Sequence, residues 1–124
     1  MWLATIYGFF SVVCAHKDGG KSAEINPNLL MIRARRKEHL QSLRERFPKQ
    51  LDACEISETR NTDYRWRIIC PKQVWAGCVK ELVEEQTYPN FKSACEEPFG
   101  HQNPYPHALH RIWSVMHEMQ NTTR

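Results

Sequence analysis

The chain has 124 residues, a net charge of +3 and an apolar fraction of 41%. This length fits a single domain with a core of its own, and these fractions exclude an intrinsically disordered protein. A charge of +3 is too small to indicate nucleic-acid binding by itself, and its sign argues against an acidic mimic of DNA. Residues 31–50 carry seven Arg or Lys against two Glu, and residues 81–97 carry five Glu against one Lys. We therefore expect a basic and an acidic pole.

The cysteine content indicates a reducing compartment. The number of cysteines, five, is odd, and no pair has C-x-x-C spacing, so the sequence predicts buried thiols rather than a disulfide framework. The apolar segment 1–15 lacks a basic start and is interrupted by polar residues, which disfavours a secretion signal. It is also shorter than the ~20 apolar residues that span a bilayer. We expect a cytoplasmic protein without a membrane segment.

The first half of the chain predicts two strands and a helix. Residues 2–14 form either one long strand bent at Gly8 or two short strands, because glycine inside a strand often marks a bend. A polar loop follows, in which Gly19-Gly20-Lys21-Ser22 lacks the first glycine of a phosphate-binding loop. A second strand covers 29–35. From Arg36 the apolar spacing becomes helical, and Pro48 ends this helix.

The second half repeats this order and then becomes helical. Residues 51–59 predict a strand, and 63–70 predict a stronger one with Tyr64, Trp66, Ile68 and Cys70 on its core side. A helix follows from Pro71, in which Gly77 could permit close packing. The remaining expectations are a helix over 91–97 capped by Asn90, an extended loop over 98–106, and a helix over 107–120 whose buried face includes Leu109, Ile112, Trp113, Met116 and Met119.

These elements predict an α+β fold. We expect a two-layer sandwich whose antiparallel sheet comes from two ββα halves, in a ferredoxin-like or permuted arrangement, with two C-terminal helices added. The chain would form one domain over 1–124. Within it, residues 1–87 would make the ββαββα core and residues 88–120 a helical extension.

Four arginines are the main candidate site. Arg33, Arg35, Arg65 and Arg67 alternate with apolar residues in two strands, so they fall on one face of a shared sheet. Beside aromatic neighbours such as Tyr7 or Phe9, this face would suit single-stranded nucleic acid. It would suit an acidic protein patch equally well. The alternative is internal pairing with Glu55, Glu58, Asp63 or residues of the acidic helix, which would merely solvate the sheet.

Other candidate chemistry is weaker. Tyr88 and Lys92 could belong to a partner surface, although this segment also reads as a capped helix start. Histidines 107, 110 and 117 share one flank of the last helix but lack further ligands at zinc spacing. Cys70 alternates with core residues, where a thiol is inert. We therefore expect no cofactor, no metal and no catalytic residue.

A combination of short motifs resembles a known family. The residues are Trp2-x-x-x-x-x-Gly8-Phe9-Phe10-Ser11, Arg33-Ala34-Arg35, Asp63-Tyr64-x-x-Arg67, Tyr88-x-Asn90-Phe91-Lys92 and a late Trp113. They are similar to those of a family of small bacterial and phage proteins for which no activity is established. The resemblance covers most of the chain, although 15–27 and 96–106 are longer here. It implies a compact cytosolic domain, from a phage or mobile element.

Taken together, the sequence predicts a small non-enzymatic binding module. A protein partner is slightly favoured, and if the phage link holds, the module could inhibit or modulate a host system. The first alternative is single-stranded nucleic-acid binding through the arginine face. The second is a small nuclease-like enzyme using His and Arg. The oligomeric state is open, since exposed strand edges allow a dimer.

Overall fold

The computed structural model describes residues 1–17 and 23–122, so the segment Gly19-Gly20-Lys21-Ser22 lies outside the described residues. The chain forms two units, Met1–Gln86 and Thr87–Arg124. The elements of the first unit are β1 (Trp2–Thr5), β2 (Gly8–His16), β3 (Ile25–Ala34), α1 (Lys37–Arg46), α2 (Pro48–Leu51), β4 (Ser57–Glu58), β5 (Trp66–Pro71) and α3 (Lys72–Glu84). The second unit contains α4 (Phe91–Phe99) and α5 (Pro104–Gln120). The predicted α+β class is confirmed.

The first unit is built on one antiparallel sheet with the strand order β1-β2-β3-β5-β4. The central strand is β3, which pairs with β5 in register from Leu29 opposite Pro71 to Ala34 opposite Trp66. Segment 2–14 is two strands rather than one, since β1 and β2 form a hairpin. The antiparallel sheet expected from the sequence is therefore confirmed.

The core lies between one face of this sheet and the helices. Alternate strand residues supply the sheet side of the core, as the period of two requires. Its buried members are Phe10, Val12, Ile32, Ala34, Ile68 and Cys70 from the sheet, Leu40, Leu43, Phe47 and Leu51 from the segment of α1 and α2, and Trp75 and Cys78 from α3. The inward positions predicted for Ile68 and Cys70 are confirmed.

The strand predicted over 51–59 is confirmed only at Ser57–Glu58, and the start of this range is not a strand. Pro48 starts α2 as well as ending the preceding pattern, because proline fits the first turn of a helix, where its missing N–H is not needed. Leu51 closes that turn and is fully buried. Only Ser57 and Glu58 pair as a strand, at the edge of the sheet beside β5. An edge strand this short offers few unpaired backbone groups to other chains.

The helical unit differs from expectation in its loop. The extended loop predicted over 98–106 is wrong, because α4 continues through Pro98 to Phe99 and α5 starts at Pro104. The predicted cap at Asn90 is confirmed, since its side chain accepts a hydrogen bond from Ser93 N. Asn103 caps α5 in the same way, since its side chain accepts a hydrogen bond from Tyr105 N.

The buried face predicted for the last helix is also wrong for most of its length. Leu109 is 5% exposed, but Ile112, Trp113 and Met116 are each between 44% and 53% exposed. The 3.6-residue apolar period therefore identified the helix correctly and its buried face incorrectly.

Gly8 is where α1 approaches the hairpin most closely. Its φ is 150°, and a Cβ built on it would lie 2.4 Å from Cγ of His39. The His39 Nδ1 accepts a hydrogen bond from the Phe9 backbone N–H at 3.2 Å. The glycine predicted to mark a bend is therefore needed for a second reason, because any side chain there would displace the histidine that joins α1 to β2.

Gly8→Ala should lower the free energy of unfolding by more than about 2 kcal/mol, since the clash and the backbone strain add. Gly77→Ala is the matched control, because nothing lies within 4 Å of a Cβ at Gly77 in α3. It should raise stability by about 0.5–1 kcal/mol through helix propensity. Urea unfolding of both variants measures the difference, and equal effects would contradict this account.

The close packing suggested for Gly77 is wrong.

His39 is buried as a neutral base. Burial lowers the pKa of its imidazole from 6.5 to about 4, with the Arg36 charge acting in the same direction and the Glu38 charge opposing it. The unfolded chain therefore binds a proton more readily than the folded chain between these two values. Stability supplied by neutral His39 is complete above pH 6.5 and is lost as the pH falls towards 4.

The free energy of unfolding should therefore fall by about 2 kcal/mol between about pH 7.5 and pH 4.5. Glu38 titrates below its ordinary pKa of 4.5, because hydrogen bonds from its own backbone N–H and from Arg36 outweigh the effect of burial. Denaturant unfolding at a series of pH values measures the slope, and His39→Asn should flatten it. A flat profile in the unmodified protein would show that His39 is not buried as described.

Candidate binding site: the open face of the sheet

The open face is the side of the sheet that turns away from α1 and α3. Strand register arranges its side chains in rows, because residues directly opposite in an antiparallel sheet point to the same side. One row crosses all five strands, and we call it the arginine row: Trp2, Ser11, Arg33, Arg67 and Ser57. The neighbouring row on the same face, two residues earlier in β3, is the apolar row: Val13, Met31 and Ile69.

Arg33 and Arg67 are held in fixed positions at the centre of the open face. The Arg33 guanidinium donates to Ser11 Oγ at 2.7 Å and to the Ser11 carbonyl at 3.5 Å. Arg67 donates to the Met31 sulfur at 3.1 Å and to the Tyr64 carbonyl at 3.2 Å. None of these acceptors carries a charge, so the contacts orient both side chains without neutralising them.

Tyr64 joins the arginines rather than the core. The guanidinium carbons of Arg33 and Arg35 lie over its ring, 4.7 and 4.1 Å from the centroid. Such cation–π contacts contribute about 0.5–1 kcal/mol each and leave the N–H edges available. The sequence placed Tyr64 on the core side with Trp66, and that prediction is wrong because β5 begins only at Trp66. Alternation does not extend into the preceding turn.

Arg65 has the internal partner that the sequence allowed for. Its Nε lies 3.2 Å from Glu58, a carboxylate shared with Arg60 at 2.7 Å. The hydrogen bond from Arg60, with the nearby Arg65 charge, holds the pKa of Glu58 below its ordinary value. Among the described residues, no carboxylate forms a salt bridge with Arg33, Arg35 or Arg67. The internal-pairing interpretation therefore holds for Arg65 alone.

Arg67 is electrostatically unfavourable where it stands. Burial, and then the charge of Arg33 opposite it, lower the pKa of its guanidinium from the ordinary value. Its Nε–H is buried and has no hydrogen-bond acceptor among the described residues. Like charges directly opposite in a sheet are destabilising, and an unsatisfied buried donor adds to that cost. The opposed charges and the unsatisfied donor therefore offset part of the stability that the neighbouring contacts supply.

Large apolar side chains surround this pair on the open face. Trp2 is 72% exposed and meets Phe9 edge-on at 5.8 Å, while Ile69 is 46% and Val13 37% exposed. The sequence did not identify Trp2, Val13 or Ile69 as site residues, although alternation along β2 and β5 could have found the last two. Tyr7, suggested as an aromatic neighbour of the arginines, packs with the core instead and donates to Glu85.

The charge poles predicted from the sequence meet in the first unit. Arg46 of basic α1 forms a 2.7 Å salt bridge with Glu85, which follows α3. Glu81 in α3 accepts a hydrogen bond from Gln50 at 2.7 Å. Part of the acidic pole is therefore occupied by internal contacts and is not free for a partner.

Tyr88 and Lys92 belong to the second unit. The Tyr88 ring lies 5.9 Å from Phe91, and the Lys92 Nζ lies 4.7 Å from the centroid of Trp113. Two of the predicted histidines, His110 and His117, stack on the same indole at 6.1 and 5.0 Å. These two histidines therefore form an aromatic stack with Trp113 on α5.

A polar cleft of about 380 Å³ lies beside this stack, lined in part by Lys92, Glu96, His101, His107 and His110. Its charges are mixed, since His101 Nδ1 lies 3.6 Å from Glu96. Within the described parts of the chain, no group of three or more His, Cys, Asp or Glu is arranged to hold a metal ion. The cleft therefore indicates no particular ligand.

Three of the five thiols are buried in surroundings that disfavour the thiolate. All five cysteines are free, and three are buried. Burial raises the pKa of Cys70 to about 12 and the pKa of Cys78 and Cys95 to about 11. Since the thiolate is the reactive form, these three are inert at neutral pH. The core-facing interpretation of Cys70 is confirmed.

Comparisons with known proteins identify no relative. No family model matches the chain, no curated protein matches it, and no solved structure matches it. The resemblance to small bacterial and phage proteins stays a prediction. Among the described residues, no helix combines the length and the apolar character that crossing a bilayer requires.

Proposed function

We propose that this protein is a non-enzymatic binding module whose open sheet face receives a partner protein. The observation that carries the proposal is the arginine row beside the apolar row, on the face opposite the helices. Exposed Trp2 and Ile69 supply apolar contact area there, and Arg33 and Arg67 supply positive charge that no carboxylate within the described ranges pairs in a salt bridge.

This composition is that of a protein interface. Trp, Met and Arg are enriched in interface centres, and Trp and Arg dominate the residues that contribute most to affinity. The guanidiniums are already held by Ser11, Met31 and Tyr64, so binding would immobilise few additional rotamers. The partner surface that fits combines apolar side chains with negative charge.

Single-stranded nucleic acid is the second candidate. The specific observation in its favour is exposed Trp2 in the same row as Arg33, since a base could stack on the indole while guanidiniums bind phosphates. The apolar row favours protein, because Val13 and Ile69 offer aliphatic surface with no ring on which a base could stack. The nuclease-like alternative gains no supporting observation.

Several finer expectations remain predictions beside this proposal. They are the ferredoxin-like arrangement of two ββα halves, the single-domain organisation, the cytoplasmic location, and a role as a phage or mobile-element modulator of a host system. Tyr88 and Lys92 are not needed for the proposed interface. The proposal depends only on the five-stranded sheet and the side chains of its open face.

Selection from a displayed library of random linear peptides should enrich sequences that combine Asp or Glu with large apolar residues. Trp2→Ala should weaken the selected peptides at least tenfold, because truncating a central interface Trp commonly costs about 2 kcal/mol or more. The matched control is Val83→Ala, an exposed apolar residue of α3 outside the open face. Fluorescence titration measures the affinities.

Two outcomes would contradict the proposal. One is that Trp2→Ala and Val83→Ala reduce peptide affinity equally, which would place binding elsewhere. The other is that no peptide is enriched while labelled single-stranded RNA or DNA binds the protein at about 50 mM salt. This binding would weaken as salt is added and as Trp2 is replaced by Ala. That result would replace the protein partner with nucleic acid.

A further inference from the structure

The centre of the open face carries two positive charges that the described chain does not neutralise. Arg33 and Arg67 are direct cross-strand partners, which places their Cβ atoms about 4.5–5.5 Å apart. Both side chains are half-buried. A fold seldom keeps an opposed pair of like charges at a partly desolvated position unless a group of opposite charge comes to it.

The donors that remain point to an oxyanion. Arg33 uses Nε and Nη2 on Ser11, which leaves the N–H groups of Nη1 without a hydrogen bond to the described residues. Arg67 uses one hydrogen each of Nη1 and Nη2 on Met31 and Tyr64, and each of these nitrogens carries a second hydrogen. Two guanidiniums from directly opposite strand positions thus keep several N–H groups available for an acceptor.

We infer that Arg33 and Arg67 form a binding site for one phosphoryl dianion, carried on a phosphorylated side chain of the partner protein. The inference deepens the proposed function and rests on it for the carrier of the phosphoryl group. The charges and donors of the site itself stand without it.

Charge balance favours phosphoryl over carboxylate. A phosphorylated side chain carries about −1.5 to −2 at neutral pH, which matches two guanidiniums, whereas a carboxylate would leave one of them uncompensated. It also has three strong acceptor oxygens, and arginine forks fit this geometry. The nearby carboxylate of Glu58 is held by Arg65 and Arg60 at the edge of the sheet and does not supply the missing charge.

The ring of Tyr64 supports the site from one side. It is 5% exposed and lies under the guanidiniums of Arg33 and Arg35, so it is covered and does not act as a stacking platform for a base. Its carbonyl accepts from Arg67. The same residue therefore fixes both arginines of the site before a ligand binds, which reduces the entropy lost on binding.

The test measures binding of inorganic phosphate and of acetate, in a chloride buffer at about pH 7.5, by titration calorimetry and by the shift in Tm. Phosphate should bind at least about tenfold more tightly than acetate, because only the dianion satisfies both guanidiniums. Arg67→Met should lose phosphate binding and keep or raise the Tm, since it removes an opposed charge while keeping the apolar stem.

Arg65→Met is the matched control. Arg65 lies two residues from Arg67, directly before β5 begins, has the same charge, and already pairs with Glu58. This variant should bind phosphate with about the affinity of the unmodified protein. If Arg67→Met does not fold, Arg67→Lys replaces it. That variant keeps the charge and loses the fork, and it should bind phosphate several-fold more weakly.

Equal phosphate responses in the unmodified protein, Arg65→Met and Arg67→Met would overturn the site, because general salt effects would then explain the shift. Equal affinity for acetate and phosphate would contradict the inference that the site selects a dianion. The carrier is tested with one peptide from the selection above, in phosphoserine and serine forms. Tighter binding of the phosphoserine form, dependent on Arg67, supports the inference. If phosphate binds but the phosphoserine and serine peptides bind equally, the phosphoryl group is not carried by a partner protein. If no selected peptide binds the open face, the partner proposal itself is contradicted, whatever the result with phosphate.

Discussion

The pairing of β3 with β5 determines both faces of the sheet. On one side it brings Ile32 opposite Ile68 and Leu30 opposite Cys70, and these residues pack beneath the helices. Because the side-chain period of a strand is two, the same register must bring Arg33 opposite Arg67 on the other side. A slip of one residue would expose the core, so the arginines cannot be separated without disrupting the fold.

The register fixes which positions face each other, but it does not fix which residue types occupy positions 33 and 67. Thr, Gln or Ser at either position would suit a solvated sheet face without opposing charges, yet the chain has arginine at both. Ser11, Met31 and Tyr64 then hold the two guanidiniums with neutral groups. Positions where a local rule is broken without an internal gain are commonly functional, since stability and binding place different demands on the same side chain. The open face is therefore the candidate site because of these two opposed arginines, and not because of the overall charge of the protein.

Alternation and helical spacing predicted the α+β class, the existence of β5 and the inward side of Ile68 and Cys70, because these depend on local patterns that burial reinforces. Of the four arginines assigned to one face from alternation, Arg33 and Arg67 lie within strands, whereas Arg35 and Arg65 lie just outside them. The position of Tyr64 could not be predicted, since it lies in a turn where the period of two does not apply. The pairing of Arg65 with Glu58 needed the edge strand β4, whose two residues carry almost no periodic signal. The exposed face of α5 shows a further limit, because an apolar stripe indicates a helix but not the surface that covers it.

A double-mutant cycle on Arg33 and Arg67 tests the central claim most directly. Arg33→Met, Arg67→Met and the double variant are compared by urea unfolding in a buffer of low ionic strength without phosphate or sulfate. If the two charges repel, each single change relieves the same repulsion, so the double variant should gain less stability than the sum of the two single variants. The expected coupling is about 0.5–1 kcal/mol, decreasing as salt is added. Additive effects, or a coupling that shows attraction between the two side chains, would contradict the claim that the pair is uncompensated.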